Sequence, residues 1–258
     1  MSKFQTKKSL GQHFLNSPHA LTAMVAAGNI VNSDTVIEIG PGEGVLTKEL
    51  LTTGAHVIAI EADSRLIPIL SETFAEEIKK KQLTLIHTDV RNYNYATQAP
   101  KNYKVVANIP YYITGEIIRD LLSSKNKPSS ITILIQKEVA ERITTRKESK
   151  ESVLSISIKA YGEPKYIKTV KKTAFFPPPK IDSAILLIDN ISNKHFQNSS
   201  LQDERFFEVV KTGFAHKRKR LIKNLNLIVA EEKFYECGLS EHVRAEELTV
   251  DNWICLAK

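Results

Sequence analysis

Three acidic residues stand where three short apolar runs end. Glu38 lies within Thr35-Val-Ile-Glu-Ile39, just ahead of Gly40-Pro-Gly-Glu-Gly44; Glu61 closes HVIAIE, residues 56–61; Asp89 follows Leu83–His87. Glycines at 40, 42 and 44 let the backbone approach a ligand that side chains would block. Their GxGxG spacing departs from the GxGxxG that holds a dinucleotide pyrophosphate. A carboxylate at Glu38 would repel pyrophosphate and suits a ligand with a cationic portion, such as the amino acid end of S-adenosylmethionine. Glu61 falls 21 residues after Gly40, near the roughly 20-residue offset at which an acid reaches a ribose hydroxyl pair. Asp89 is placed to accept a hydrogen bond from an adenine amine. Each carboxylate alone reads as a helix cap or a surface charge, but three in order read as a cofactor set. A nicotinamide dehydrogenase competes, against the glycine spacing and without an evident His/Asp pair for hydride transfer.

The elements that must carry these residues alternate. Strands are expected at 35–39, 56–61, 83–87, 104–107 and 131–135, with helices over 17–30 (N-cap Ser17, Pro18 at its first position), 45–53, 64–80 (N-cap Ser64), 114–123 and 137–145. Such alternation predicts a doubly wound, mostly parallel sheet, whose ligands bind at the carboxyl ends of the strands where the order reverses. Residues 152–161 fit a strand or a helix face equally. Strands at 166–176 and 183–188 flank Pro177-Pro178-Pro179, and beyond the polar stretch 190–202 the pattern is helical. The expected division is 1–190 for cofactor and chemistry and 191–258 for a small helical domain.

Composition agrees with a globular chain: 258 residues, 42% hydrophobic, 25% charged, with 10 Gly and 10 Pro. That excludes collagen-like and disordered classes. No run reaches the roughly 18 apolar residues of a membrane span, and the leader lacks a signal core, so a cytoplasmic protein is expected. Cys237 and Cys255 lack metal-ligand or redox spacing and read as two buried thiols, with neither disulfide nor metal.

After the fourth expected strand comes Asn108-Ile-Pro-Tyr111. The tetrad resembles the [N/D]PPY-type motif of enzymes that methylate exocyclic amines of bases. Adenine N6 is a poor nucleophile because its lone pair is delocalised into the ring. An Asn carbonyl and a main-chain carbonyl near the Pro can accept its two N–H bonds and favour a pyramidal nitrogen aimed at a sulfonium methyl. Tyr111 would stack on the extruded base. Positioning and electrostatics then carry an in-line displacement with no covalent enzyme intermediate.

The similarity runs along almost the whole chain. KSLGQHFL at 8–15, EIGPGEG, NIPYYI, Gln136-Lys-Glu-Val139, Phe175-Phe-Pro-Pro-Pro-Lys-Ile-Asp-Ser-Ala184 and FAHKRKRLIKNL at 214–225 together resemble the small-subunit (16S) ribosomal RNA adenine N6-dimethyltransferases. The resemblance implies a Rossmann-like class I fold using S-adenosylmethionine, and dimethylation of two adjacent adenines in the 3′-terminal hairpin of 16S rRNA in the immature 30S subunit, by a monomer. It places His13 and Leu15 beside the cofactor, Gly40 and Gly42 under its methionine part, Glu61 on the ribose, Asp89 on the adenine, and Asn108 against both cofactor and target amine. Pro110 belongs to the tetrad, and Phe175 would pack on the flipped adenine opposite Tyr111. The family often has Asn where His13 stands, which leaves the cofactor contact of His13 open. Rival readings are a macrolide-resistance type 23S rRNA methyltransferase, which shares NIPY, a DNA adenine methyltransferase, for which the region after 190 is short, and a non-catalytic assembly factor.

The charge distribution fits a polyanionic partner. Lys and Arg number 36 against 29 Asp and Glu, a net +7, of which residues 137–180 carry +6. A second basic run, Lys217, Arg218, Lys219, Arg220 and Lys223, opens the C-terminal part. Each cation meeting a phosphate would release a condensed counterion, and Lys217, Arg218, Arg220 and Lys223 are the candidate RNA contacts.

Overall fold

A computed structural model of the chain describes residues 13–144, 150–196, 203–216 and 218–258. Residues 8–12 of the leading motif, Thr145 at the end of an expected helix, and Lys217 of the basic run lie outside them. The chain forms two compact units, one from residues up to Ala140 with Pro164–Ile191, the other from Glu141–Glu163 with Ser192–Lys258. Residues 141–163 therefore belong with the C-terminal unit, where a single break near 190 was expected.

The first unit opens with β1 (Phe14–Leu15) and α1 (Pro18–Ala27), then β2 (Thr35–Ile39), α2 (Val45–Leu51) and β3 (His56–Glu61). The Ser17 hydroxyl accepts from the Ala20 N–H, and Pro18 sits in the first turn, where no donor is missed. Next come α3 (Leu66–Thr73), α4 (Ala75–Lys79), β4 (Leu83–His87), α5 (Tyr95–Gln98), β5 (Lys104–Ala107), α6 (Thr114–Ser123) and β6 (Ser130–Gln136). The expected 64–80 helix breaks at Phe74, and it starts at Leu66 with Arg65 in the N-cap position and no side-chain cap, so Ser64 does not cap it. The Asp63 carboxylate accepts from both the backbone N–H and the guanidinium of Arg65.

After α7 (Lys137–Thr144) and α8 (Val153–Tyr161), the chain runs through β7 (Glu163–Val170), β8 (Phe175–Phe176) and β9 (Ser183–Asp189). The strand expected at 166–176 is thus two: a 3-10 turn at Lys172–Ala174 separates β7 from β8, and β8 pairs with β1 in its own antiparallel ribbon. The main sheet has the order β4-β3-β2-β5-β6-β9-β7. Its first five strands are parallel and β9 runs antiparallel to β6. The chain winds outward from β2 to β4, then returns to add β5 on the other side of β2, so the order reverses beside β2. The inner strands β3, β2, β5 and β6 are largely buried on both faces, as parallel strands covered by helices require, whereas the edge strand β4 exposes Thr84 and His87.

In the second unit α8 joins α9 (Asp203–Gly213), α10 (Leu221–Leu225), α11 (Glu231–Glu236) and α12 (Val250–Ala257). The ambiguity at 152–161 resolves as helix because Ser152 and Ser155 form a capping box and Ile156 and Ala160, one turn apart, enter a core with Phe206, Phe214, Phe234 and Trp253. Cys237 and Cys255 are half-buried and joined by a disulfide, which corrects the expectation of two buried thiols. Their 18-residue separation gave no signal; the meeting of α11 and α12 brings the Cα atoms to 5.8 Å, within bridging range.

Candidate active site

Strand register sets the site. Ile39 pairs with Ile60 on one side and Ala107 on the other, so Gly40, Glu61 and Asn108 emerge side by side from three adjacent parallel strands. Glu61 in turn pairs with His87, two residues before Asp89. The four positions ring a cleft at the switch point, also lined by His13, Leu15, Glu38, Gly42, Pro110 and Tyr111. The carboxylate set and the Asn tetrad, 70 residues apart from Glu38 to Asn108, share one cavity because ligand sites of open parallel sheets form where the order reverses.

Two carboxyl groups are held in the floor. Glu38 is 1% exposed; its Oε2 accepts from the Thr47 hydroxyl at 2.6 Å, while Oε1 is buried without a partner. Burial, reinforced by the neighbouring Glu61 charge, pushes its pKa up to about 8 against the Thr47 hydrogen bond. Glu61 accepts from the N–H of Asp63 at 2.7 Å and of Gly42 at 3.3 Å, one on each oxygen, and burial raises its pKa as well. Glu61 thus ties the glycine turn to β3 and keeps a lone pair on each oxygen for a ligand. Gly42 (φ 60°) needs its missing side chain, since a Cβ would strike the Phe14 ring at 2.9 Å. Gly40 (φ 68°) differs: a Cβ there would meet nothing within 4 Å.

Asp89 lies on a more open wall. It caps a 3-10 turn, Val90–Asn92, and pairs with Arg91 at 2.6 Å. The guanidinium holds the Asp89 carboxyl below the usual range. Arg91, Thr47 and Asp63 escaped the sequence reading. Arg91 and Asp63, each two residues from an expected ligand, carried the only signal.

Across the cleft, Asn108 Nδ2 donates to the His13 carbonyl at 3.1 Å, which leaves the amide oxygen as its acceptor. His13 Nδ1 bonds the Pro177 carbonyl at 2.6 Å, and its ring stacks at 6.3 Å on Tyr111. The Tyr111 hydroxyl shares a 2.6 Å hydrogen bond with Ser183. Pro110 offers no free carbonyl, because its oxygen accepts from the Thr114 hydroxyl and the Ile113 N–H as α6 starts. Leu15 is buried at the cleft wall. Phe175, expected opposite Tyr111, does not line the cleft. It is 5% exposed in the core beside Leu15, its partner in the ribbon, whereas Phe176 is 56% exposed. Alternation along β8 decides this: if one Phe is buried, the next faces out.

Arg218, Arg220 and Lys223 are exposed in the second unit. They form no continuous basic helix, since α9 ends at Gly213 and α10 begins at Leu221, with Arg220 at its N-cap position. Among the described residues no group of acidic, His or Cys side chains could hold a metal, and no helix is long and apolar enough to cross a membrane.

Residues 3–258 match the model of the ribosomal RNA adenine dimethylase family. A ribosomal RNA small subunit methyltransferase A of Dehalococcoides mccartyi is 38% identical over 98% of this chain and 88% of its own length. One of Clostridium botulinum is 39% identical over 97% of this chain and 92% of its own. Among solved structures, a dimethyladenosine transferase from Plasmodium falciparum superposes with a TM-score of 0.80 at 26% identity, covering 95% of this chain and 96% of that one. The 23S rRNA methyltransferase ErmE superposes at 0.74 with 23% identity over 95% and 98%, a likeness of fold. The switch-point cleft, with its glycine turn, its ordered carboxylates and its Asn-Ile-Pro-Tyr tetrad, thus sits in a Rossmann-like methyltransferase sheet, and the chain belongs to the ribosomal RNA adenine dimethylase family.

Proposed function

We propose that the protein transfers methyl groups from S-adenosylmethionine to N6 of two adjacent adenines in the 3′-terminal hairpin of 16S rRNA, during assembly of the small subunit. The observation that carries this reading is the anchoring of Asn108: with its nitrogen bound to the His13 carbonyl, its oxygen is left to accept an amine N–H beside the carboxylate set. The residues fit the cofactor. Glu38 has an orphaned buried oxygen for an ammonium group, and the space over Gly40 would be filled by any side chain there. Glu61 has one free acceptor position on each oxygen for a ribose diol, and Asp89 stands at the adenine end.

When bound, the cofactor supplies an electrophilic methyl on a sulfonium. The chain's own residues position the nucleophile. Asn108 Oδ1 accepts one N–H of adenine N6, which draws the nitrogen lone pair out of the ring and towards the methyl group. Tyr111, tethered by Ser183 and backed by His13, gives a fixed aromatic surface for a base taken out of its helix. The Phe175-Phe176 pair of the ribbon, with Phe176 exposed, is the candidate second aromatic for the base. Arg218, Arg220 and Lys223 would hold phosphates.

Tritiated methyl donor supplied with immature 30S particles lacking the modification tests the proposal. Label in the two adenines is the expected result. Label instead in 23S rRNA, supplied in a parallel reaction, would overturn the substrate, and a failure of all transfer would leave the assembly-factor reading. Replacing Arg218 and Arg220 with Ala is expected to weaken particle binding and flatten its salt dependence, without changing cofactor affinity.

A further inference from the structure

The Asp89 carboxylate is already engaged. Arg91 Nε donates to Oδ1 at 3.0 Å and more distantly to Oδ2 at 3.2 Å; Nη2 donates to Oδ2 at 2.6 Å; the Arg91 backbone N–H donates to Oδ1 at 3.0 Å. An ionised carboxylate offers about four lone-pair positions, two on each oxygen. Arg91 occupies both on Oδ1, through its backbone and Nε hydrogens. On Oδ2 it occupies one, because the longer Nε contact shares a hydrogen already aimed at Oδ1. One acceptor position remains, on Oδ2.

The pair is poorly placed to stabilise the fold. Asp89 is 33% and Arg91 50% exposed at the side chain, and ion pairs so open contribute little. It is well placed to fix geometry: a two-pronged guanidinium contact sets the plane of a carboxylate, which a single point charge does not. The short Val90–Asn92 turn, with Val90 buried beneath it, holds donor and acceptor at this spacing, and both side chains line the cleft.

We propose that Arg91 is a positioning residue that leaves Asp89 a single, oriented acceptor, so that the cofactor site selects a 6-amino purine over a 6-oxo purine. This rests on reading the cleft as the site of an adenosyl cofactor. A 6-amino group puts an N–H on the open Oδ2 position. A 6-oxo group puts a second acceptor there with no hydrogen between, and a carboxylate held in its plane by Arg91 cannot turn away. Without the Arg91 guanidinium the carboxylate keeps only the backbone N–H on Oδ1 and can rotate about it, water fills the added space, and the two purines become more alike.

Calorimetric titration of the full-length protein with S-adenosylhomocysteine and its 6-oxo counterpart, S-inosylhomocysteine, tests this. The parent is expected to prefer the adenosyl ligand by about thirtyfold or more, the scale of one charge-assisted hydrogen bond lost and one acceptor clash gained. Arg91→Ala should cut that preference about tenfold, and Arg91→Lys should fall between, since an ammonium can hold one oxygen but not the plane. A structural role alone would weaken both ligands equally; an unchanged ratio in Arg91→Ala overturns the proposal. Unfolding midpoints of the ligand-free proteins check the fold, with Arg91→Gln as the substitute if Ala fails to fold. A variant that keeps the ratio but loses 30S particle binding would assign Arg91 to RNA and also overturn it. If the parent binds neither ligand, the cofactor reading itself falls.

Discussion

At one end of the cleft Glu38 is sealed from solvent with one oxygen on Thr47 and the other bare, and its pKa is pushed up to about 8. At the other end Asp89 is a third exposed, grips Arg91 with both oxygens, and is held below the usual carboxylate range. The two acids stand in one cavity with opposite electrostatic settings. Desolvation dominates where no cation is near, and a neighbouring guanidinium dominates where one is. The buried end can carry a proton until a cationic ligand group displaces it, and the open end is charged throughout. A zwitterionic amino acid tail and a neutral purine call for these two settings respectively.

Asn108 emerges from β5, on the far side of β2 from Glu61 and Asp89, and its loss is expected to have the largest effect. Asn108→Ala should lower the methyl-transfer rate on 30S particles about a hundredfold or more while cofactor affinity changes only a few-fold, because the role proposed for its oxygen is on the target amine. Single-turnover transfer and a separate binding titration read the two; comparable rates in variant and parent would remove Asn108 from the reaction.

Glu61 belongs to the buried floor yet works through hydrogen bonds like the open end. Glu61→Ala removes the acceptor for the Gly42 and Asp63 N–H groups together with the proposed ribose contact. Cofactor affinity should drop by roughly tenfold to a hundredfold, the scale of one or two hydrogen bonds to a charged group.

Glu38→Gln isolates the proton. In the ligand-free parent the folded pKa, about 8, lies above the ordinary glutamate value of 4.5, so the folded state binds more protons than the unfolded state between those values. This group's contribution to stability is therefore full below about pH 4.5 and is lost as pH rises through about 8. The ligand-free melting temperature of Glu38→Gln should fall less between pH 5 and 8 than that of the parent. Binding of the cationic cofactor group should also release a proton in the parent near pH 7, measurable as a buffer-dependent enthalpy, and release less in the variant. Equal proton release in both would show Glu38 to be ionised already.

The smallest effect is expected at Tyr111. Tyr111→Phe keeps the ring and loses only the bond to Ser183. Transfer should slow by about tenfold at most, the value of one neutral hydrogen bond, whereas Tyr111→Ala should slow it further by removing the stacking surface. Equal rates for Ala and Phe would end the stacking role.

Much of the fold was legible along the chain because parallel strands buried on both faces must be short apolar runs, and the turns after them must carry the glycines and acids. Glu38, Glu61, Asp89 and Asn108 were each found by their place after such a run. Residues 152–161 could not be assigned alone, since apolar alternation there fits both periods until the core containing Trp253 is formed. Which of Phe175 and Phe176 faces inward was not legible, because neither of two adjacent aromatics shows it until β8 pairs with β1.

The sequence by itself determined the order of chemical groups: glycine turn, three acids, Asn tetrad, aromatic-proline ribbon and a basic run. Local propensity and burial pattern act over a few residues, and they are enough to place each group at the end of an element. Only the tertiary structure decided which groups meet. The reversal of strand order beside β2 brings Asn108 next to Gly40 and into one cleft with Glu61, and the pairing of β8 with β1 buries Phe175 and exposes Phe176. Burial raises the Glu38 pKa and the Arg91 guanidinium lowers that of Asp89, and α11 with α12 brings Cys237 to Cys255. These outcomes depend on register and on distances between residues far apart in the chain, which spacing along the chain does not encode.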